Sequence, residues 1–226
     1  MIGVFDSGVG GYNALSELRR LCPLCDLVYL ADRGNAPYGT KTKEEVLRLV
    51  KSNLERLRNM GAYPILIACC TASTVYGELS AAERRLSVPI IAPGAEEAAK
   101  FRRITVIATE RTVSERAFSR EIHRIAPEAR VTEIATQHLV ALVEGGARDG
   151  YLTPRETAEL DKVAEKIRCD SPEALVLGCT HFSHLEAELS ARLPNVRIIS
   201  PARIGARELL RHCKPPSGSG RIIYTE

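Results

Sequence analysis

Two short segments put cysteines where reactive groups are commonly displayed: Ile67-Ala68-Cys69-Cys70-Thr71-Ala72-Ser73 and Leu177-Gly178-Cys179-Thr180-His181. Each follows an apolar run of strand character, Pro64 to Ala68 and Ala174 to Gly178, and each leads into a helix-compatible stretch. In open α/β folds this strand-to-helix junction is where ligands bind. A thiol at a helix start feels the positive end of the dipole and nearby amide N–H groups. Cys69 and Cys179 are therefore expected to ionise below the reference value of about 8.5 and to act as bases or nucleophiles. A single buried cysteine is more often plain core, but two in matched Cys-Thr turns point to a pair serving one substrate.

Other polar groups gather at equivalent points. Phe5-Asp6-Ser7-Gly8-Val9-Gly10-Gly11 follows the first strand-like run. It fails as a dinucleotide fingerprint, because Asn13 stands where the third glycine is required. Asp6 is then a candidate to orient an ammonium or accept a proton, or a helix N-cap. The loop from Ala31 to Thr40 is dense in turn formers, and Tyr38 and the Gly39 amide are natural donors to a carboxylate.

These groups need a scaffold. The chain has 226 residues, 45% apolar and 26% charged, enough to bury a full core. Strands are expected at Ile2 to Phe5, Leu27 to Leu30, Ile65 to Ala68, Pro89 to Ala92, Ile104 to Ala108, Val131 to Ile134, Ala174 to Leu177 and Val196 to Ile199, alternating with helical periodicity. That alternation predicts an α/β fold with mostly parallel sheets. Thr42 with Glu45 forms a capping box ahead of the stripe Leu47, Val50, Leu54 and Leu57, and Thr153-Pro154 opens a second helix with Leu160, Val163 and Ile167 inward. Val4-Phe5-Asp6-Ser7-Gly8 in one half parallels Val106-Ile107-Ala108-Thr109-Glu110 in the other. Two pseudo-equivalent domains facing each other across a cleft are expected, one of residues 1–93 plus 205–226 and one of 94–204. The linking segment Pro215 to Gly220 is read as flexible.

The net charge of +3, from 31 basic and 28 acidic residues, is dispersed and argues against nucleic acid. No stretch approaches the roughly 18 to 20 apolar residues of a membrane helix, and the start lacks the pattern of a secretory signal, so no membrane and a cytoplasmic location are expected. Seven cysteines, an odd number, read as free thiols. Cys22-Pro23-Leu24-Cys25 sits at a helix C-terminus, where the dipole disfavours a thiolate, and a lone C-x-x-C is weak evidence for zinc. No metal is expected.

Four segments together carry a resemblance: Phe5 to Gly11, Pro37-Tyr38-Gly39-Thr40-Lys41, Ala68-Cys69-Cys70-Thr71-Ala72-Ser73 and Gly178-Cys179-Thr180-His181. In order and spacing they closely resemble bacterial glutamate racemases. The resemblance implies a cofactor-independent reaction at the α-carbon of glutamate in which one cysteine thiolate removes the proton and the opposite thiol returns one to the other face. It implies Cys69 and Cys179 as the acid–base pair, with Asp6, His181 and Glu144 assisting. Asp6, Ser7, Tyr38, Gly39, Cys70, Thr71, Thr180 and His181 would hold the substrate. It further implies a homodimer supplying D-glutamate for peptidoglycan. The pattern departs at Cys70, where the family carries an Asn whose amide holds substrate, and at Phe182-Ser183 in place of Tyr-Pro. A thiol cannot replace both amide functions. The alternatives are a racemase of aspartate, another amino acid or hydantoin, and a racemase-like binding protein impaired in catalysis. An adjacent thiol also invites oxidation or a soft metal at Cys69.

Overall fold

The computed structural model describes residues 1–212 and 217–226; Pro215 and Pro216 of the expected linker lie outside the described residues. The strands are β1 Ile2–Asp6, β2 Leu27–Ala31, β3 Ile65–Ile67, β4 Ser87–Pro89, β5 Arg103–Ala108, β6 Arg130–Ala135, β7 Ala174–Gly178, β8 Arg197–Ile199 and β9 Ile222–Thr225. The helices are α1 Tyr12–Leu21, α2 Lys43–Asn59, α3 Cys70–Ser73, α4 Ala81–Leu86, α5 Ile91–Ala98, α6 Glu110–Ser114, α7 Ala117–Ile125, α8 Gln137–Glu144, α9 Pro154–Cys169, α10 Glu186–Arg192 and α11 Pro201–His212.

All strand pairs are parallel and fall into two sheets, ordered β4-β3-β1-β2-β9 and β6-β5-β7-β8. Replacing β1, β2, β3 and β4 by β5, β6, β7 and β8 converts the first order into the second, with β9 as an added edge. The expected α/β architecture of two equivalent halves is therefore present. β1, β2 and β7 are buried along their whole length, which is why they read as unbroken apolar runs: parallel sheets are covered on both faces.

The register places the reactive turns. Phe5 pairs with Ile67, so the chain leaves β1 and β3 with Ser7 level with Cys69. Ala108 pairs with Gly178, which sets Thr109 level with Cys179 in the other sheet. The expected capping box of Thr42 with Glu45 forms, and the helix expected from Thr153-Pro154 opens with a second one, Thr153 with Glu156. On α2 the buried face runs through Val46, Leu49, Val50, Asn53, Leu54 and Leu57, with Leu47 only partly covered.

One apolar core joins α1, α5, α7 and α11 to faces of both sheets, while α2 covers the first sheet and α8 and α9 the second from the far sides. The chain crosses between the sheets twice, through α5 and α11, which pack against each other. The approach is close: a Cβ on Gly94 would lie 2.9 Å from two Pro201 side-chain carbons.

Three expectations are corrected. The strand expected at Pro89 to Ala92 is β4, which ends at Pro89, and Ile91 already begins α5; an apolar run this short fits either state, and packing on α11 decides it. Cys22 and Cys25 are not free thiols but a disulfide, with Cα atoms 5.5 Å apart, a spacing that the turn after α1 provides and a bridge requires. Cys69, Cys70, Cys169 and Cys179 are free. Finally, Asp6 does not cap α1, whose N-cap is Gly11.

Candidate active site

Cys69 and Cys179 line one pocket between the sheets, together with Ser7, Pro37, Tyr38, Gly39, Cys70, Thr71, Thr109, Gln137, Val140, Glu144, Thr180 and His181. The remaining free space is about that of a single water, so the pocket is closed. Every residue expected at the site lines it except Asp6, which lies fully buried behind the wall.

On the first side, Cys69 is the N-cap of α3 and its sulfur accepts from the Ala72 N–H at 3.5 Å. Its Sγ also lies 3.5 Å from the Ser7 hydroxyl, as the register requires. On the second side, Cys179 precedes a 3-10 turn over Thr180–Leu185, and its Sγ is 3.7 Å from His181 Nδ1. His181 Nε2 stands 3.3 Å from Glu144 Oε1 at the end of α8, without hydrogen-bond alignment. The resulting line runs from thiol to imidazole to a half-exposed carboxylate.

Asp6 ties the two sides together. Its Oδ1 accepts from the Gly8 N–H at 2.8 Å and its Oδ2 from the Thr180 hydroxyl at 3.0 Å. Thr71 makes a second tie, its hydroxyl 3.0 Å from that of Thr109 and 3.5 Å from that of Thr112. Thr109 and Gln137 were not singled out as candidates. Thr109 was legible from its place after β5, the equivalent of the turn after β1; Gln137 carries no sequence signal.

The thiol protonation differs from expectation. Burial pushes Cys69 up to about 11, with Asp6 adding to it. Burial also holds Cys179 and Cys70 well above a free thiol, with Cys69 a further cause for each. The helix-dipole argument fails because α3 is one turn long and Cys179 heads no α-helix, while desolvation acts in full. Asp6 is itself raised by burial, against the opposing effect of His181. Both thiols therefore carry protons near neutrality, and Asp6 is electrostatically linked to each.

Tyr38 also behaves differently from a free donor. Its hydroxyl donates to Asp32 Oδ2 at 2.5 Å and accepts from Asn53 Nδ2 at 3.1 Å. That network fixes the Tyr38–Thr40 turn, so Gly39 faces the pocket. A Cβ at Gly39 would collide with Gln137 Oε1 and lie 2.8 Å from Thr109 Cβ; glycine is required there. Among the described residues, no cluster of three or more His, Cys, Asp or Glu is arranged to hold a metal ion, and no helix is long and apolar enough to cross a membrane.

Two equivalent parallel sheets bring Cys69 with Cys70 from one side and Cys179 from the other to a shared pocket, which places the chain among α/β proteins with a thiol-lined cleft between two like halves. The chain belongs to the Asp/Glu/hydantoin racemase family, whose profile matches residues 15–209. It is 37% identical over 229 residues to the glutamate racemase of Gloeobacter violaceus, covering 96% of this chain and 82% of that one. The structure of glutamate racemase isoform RacE1 from Bacillus anthracis superposes with a TM-score of 0.87 at 29% identity, over 99% of this chain and 86% of that one. The Thermus thermophilus glutamate racemase, solved with β-chloro-D-alanine, gives 0.82 at 33% identity, over 99% and 86%.

Proposed function

We propose that this protein interconverts L- and D-glutamate without a cofactor, using Cys69 and Cys179 as the acid–base pair. The observation that carries the reading is the placement of two buried thiols at topologically equivalent turns lining one pocket, each beside a further protonatable group. In the D-to-L direction the Cys69 thiolate takes the Cα proton and the Cys179 thiol delivers its own to the opposite face. The reverse direction exchanges their roles, and one thiolate and one thiol remain after each turnover. Inversion without a cofactor needs this arrangement of a base on one face and an acid on the other.

Because burial keeps both thiols protonated, one proton must leave as substrate arrives. A substrate ammonium in the pocket supplies the counter-charge that the burial of three thiols and a carboxylate lacks, which favours a thiolate. Asp6 and the His181–Glu144 line are the acceptors at hand. Ser7, Gly39, Thr71 and Thr180 provide hydroxyl and amide donors to the two carboxylates, and closure around the substrate excludes water from the developing carbanion.

The working unit comprises two domains, residues 1–93 plus 205–226 and 94–204, that part to admit substrate, and the protein acts as a cytoplasmic homodimer supplying D-glutamate for peptidoglycan. Incubation of either glutamate enantiomer in D2O is expected to place deuterium at Cα and to converge on a racemate; absence of exchange with folded protein overturns the reading. Aspartate and hydantoins in the same assay test the other substrates of the family. Complementation of a D-glutamate auxotroph tests the cellular role, and sedimentation tests the dimer.

A further inference from the structure

Gln137 is the first residue of α8, and Gln137, Val140 and Glu144 all line the pocket. Their spacing of three and then four places them on one helix face, so α8 forms one wall from end to end. Glu144 at its C-terminal end reaches His181. At the other end the Gln137 side-chain oxygen is buried with no hydrogen-bond partner, pressed against Gly39, where any Cβ would collide with it. A buried amide oxygen without a partner in a pocket wall marks a side chain open to a ligand, since buried polar atoms are otherwise paired.

The donor inventory says which ligand group. No lysine or arginine lines the pocket, so two substrate carboxylates must be met by neutral donors and His181. The Tyr38 hydroxyl, adjacent to Gly39, is already committed to Asp32, and position 70 offers a thiol, a weak donor. Gln137 is the one side-chain amide among the lining residues. Its oxygen and nitrogen exchange places by a half-turn of the terminal amide, which brings N–H donors to the same spot. The substrate ammonium has the Glu144 carboxylate, which lines the pocket, as an acceptor and does not need this one.

We propose that Gln137 is a substrate-binding residue whose side-chain amide donates to a carboxylate of the amino acid, at the subsite bounded by Gly39 and Thr109. The inference rests on the racemase reading for the identity of the ligand. It assigns to the second half of the chain a carboxylate contact that the first half, with Tyr38 engaged and Cys70 lacking an amide, does not supply.

The test compares Gln137→Met, which keeps length and loses the amide, with Gln137→Glu, which keeps an acceptor and loses the donor. Loss of one hydrogen bond to a charged group is expected to raise KM for both glutamate enantiomers about tenfold or more in Gln137→Met, with little change in kcat. Gln137→Glu should raise it further, by repulsion. The melting temperature of Gln137→Met should not fall, because the amide has no partner in the unliganded protein; a purely structural role would lower the melting temperature and leave KM alone. An unchanged KM in Gln137→Met overturns the proposal, as does tighter binding by Gln137→Glu. Calorimetric titration with D-glutamate separates the two readings. Binding that Gln137→Met weakens, without Cα exchange in the parent protein, keeps this inference and ends racemisation. Exchange with an unaltered KM does the reverse, and neither exchange nor binding ends both.

Discussion

At the scale of single residues, burial governs what the thiols can do. Cys69 is raised above the ordinary range of a free thiol to about 11, first by desolvation and then by Asp6. A group whose folded value is raised contributes stability that is complete below its unfolded value and lost as pH climbs through the folded one. Urea midpoints are therefore expected to fall between pH 9 and pH 11, Cys69 contributing about 2 to 3 kcal/mol of that loss. Cys69→Ala should give a shallower decline, Cys70, Cys179 and the buried hydroxyls of Tyr29 and Tyr38, all raised, supplying the rest; a decline identical to the parent would show that Cys69 keeps a normal value. His181 and Glu144 give a kinetic counterpart. His181→Asn is expected to lower kcat/KM about 100-fold, the size of a general acid–base contribution. The loss must be equal in both directions, since the equilibrium constant of a racemisation is unity. Glu144→Gln, acting through the imidazole from a half-exposed position, should cost less, and equal losses in the two variants would contradict that order. That the two thiols and His181 meet in one pocket was legible because Cys-Thr and Cys-Thr-His turns sit at chain positions that α/β folds reserve for ligands, whereas Glu144 came only with the family resemblance. The protonation state was not, because the sequence pattern announces a helix start but not that α3 lasts a single turn in a desolvated pocket.

At the scale of elements, the strands β1, β2, β3, β5 and β7 were readable as apolar runs, the helix α2 by its capping box and α9 by Thr153-Pro154 and its apolar stripe. What escaped at the start of α5 was decided by partners distant in sequence. Ile91 and Ala92 enter α5 instead of extending β4 because that segment must pack on α11, and no local pattern encodes a contact with Pro201. The Cys22–Cys25 bridge closes the turn after α1, where Arg19 also donates to the carbonyls of Pro23 and Cys25. α1 is tied in turn to α11 by Glu17, which is buried and paired with Arg20 at 2.9 Å and Arg207 at 2.6 Å. The hydrogen bond from Arg20 is the largest cause of its carboxyl being lowered to about 2. A depressed carboxyl contributes stability above its unfolded value that disappears as pH falls through the folded one. Glu17→Gln is expected to cost about 1 to 2 kcal/mol at pH 7, a figure reduced because both arginines are more than half exposed and screened. The difference from the parent should shrink between pH 4.5 and pH 2, read by chemical denaturation. A penalty that is constant across that range would mean that Glu17 acts by packing alone.

At the scale of the molecule, two parallel sheets of the same strand order meet through loops that at Gly10 leave no room for an added atom. Gly10, in the turn after β1, lies against the turn that carries Cys179: a Cβ there would sit 2.7 Å from the His181 backbone nitrogen and 2.8 Å from the Thr180 carbonyl carbon. These are backbone atoms at the end of a buried strand, so the clash cannot be relieved by a side-chain rotation. The two halves must move apart, carrying Asp6 away from Thr180 and the first thiol away from the second. Gly10→Ala should thus leave each sheet folded while spoiling the joint geometry. Misplacement of reacting groups by an ångström costs about 100-fold, and a loss of that order in kcat/KM for both enantiomers is expected, with a cooperative melting transition retained. Gly77, whose Cβ would meet nothing within 4 Å, provides the matched control, and Gly77→Ala should leave kinetics and melting unchanged. If Gly10→Ala keeps parental activity, the closed arrangement of the two halves is not the one in which proton transfer occurs, and the reaction must be sought in a more open pocket.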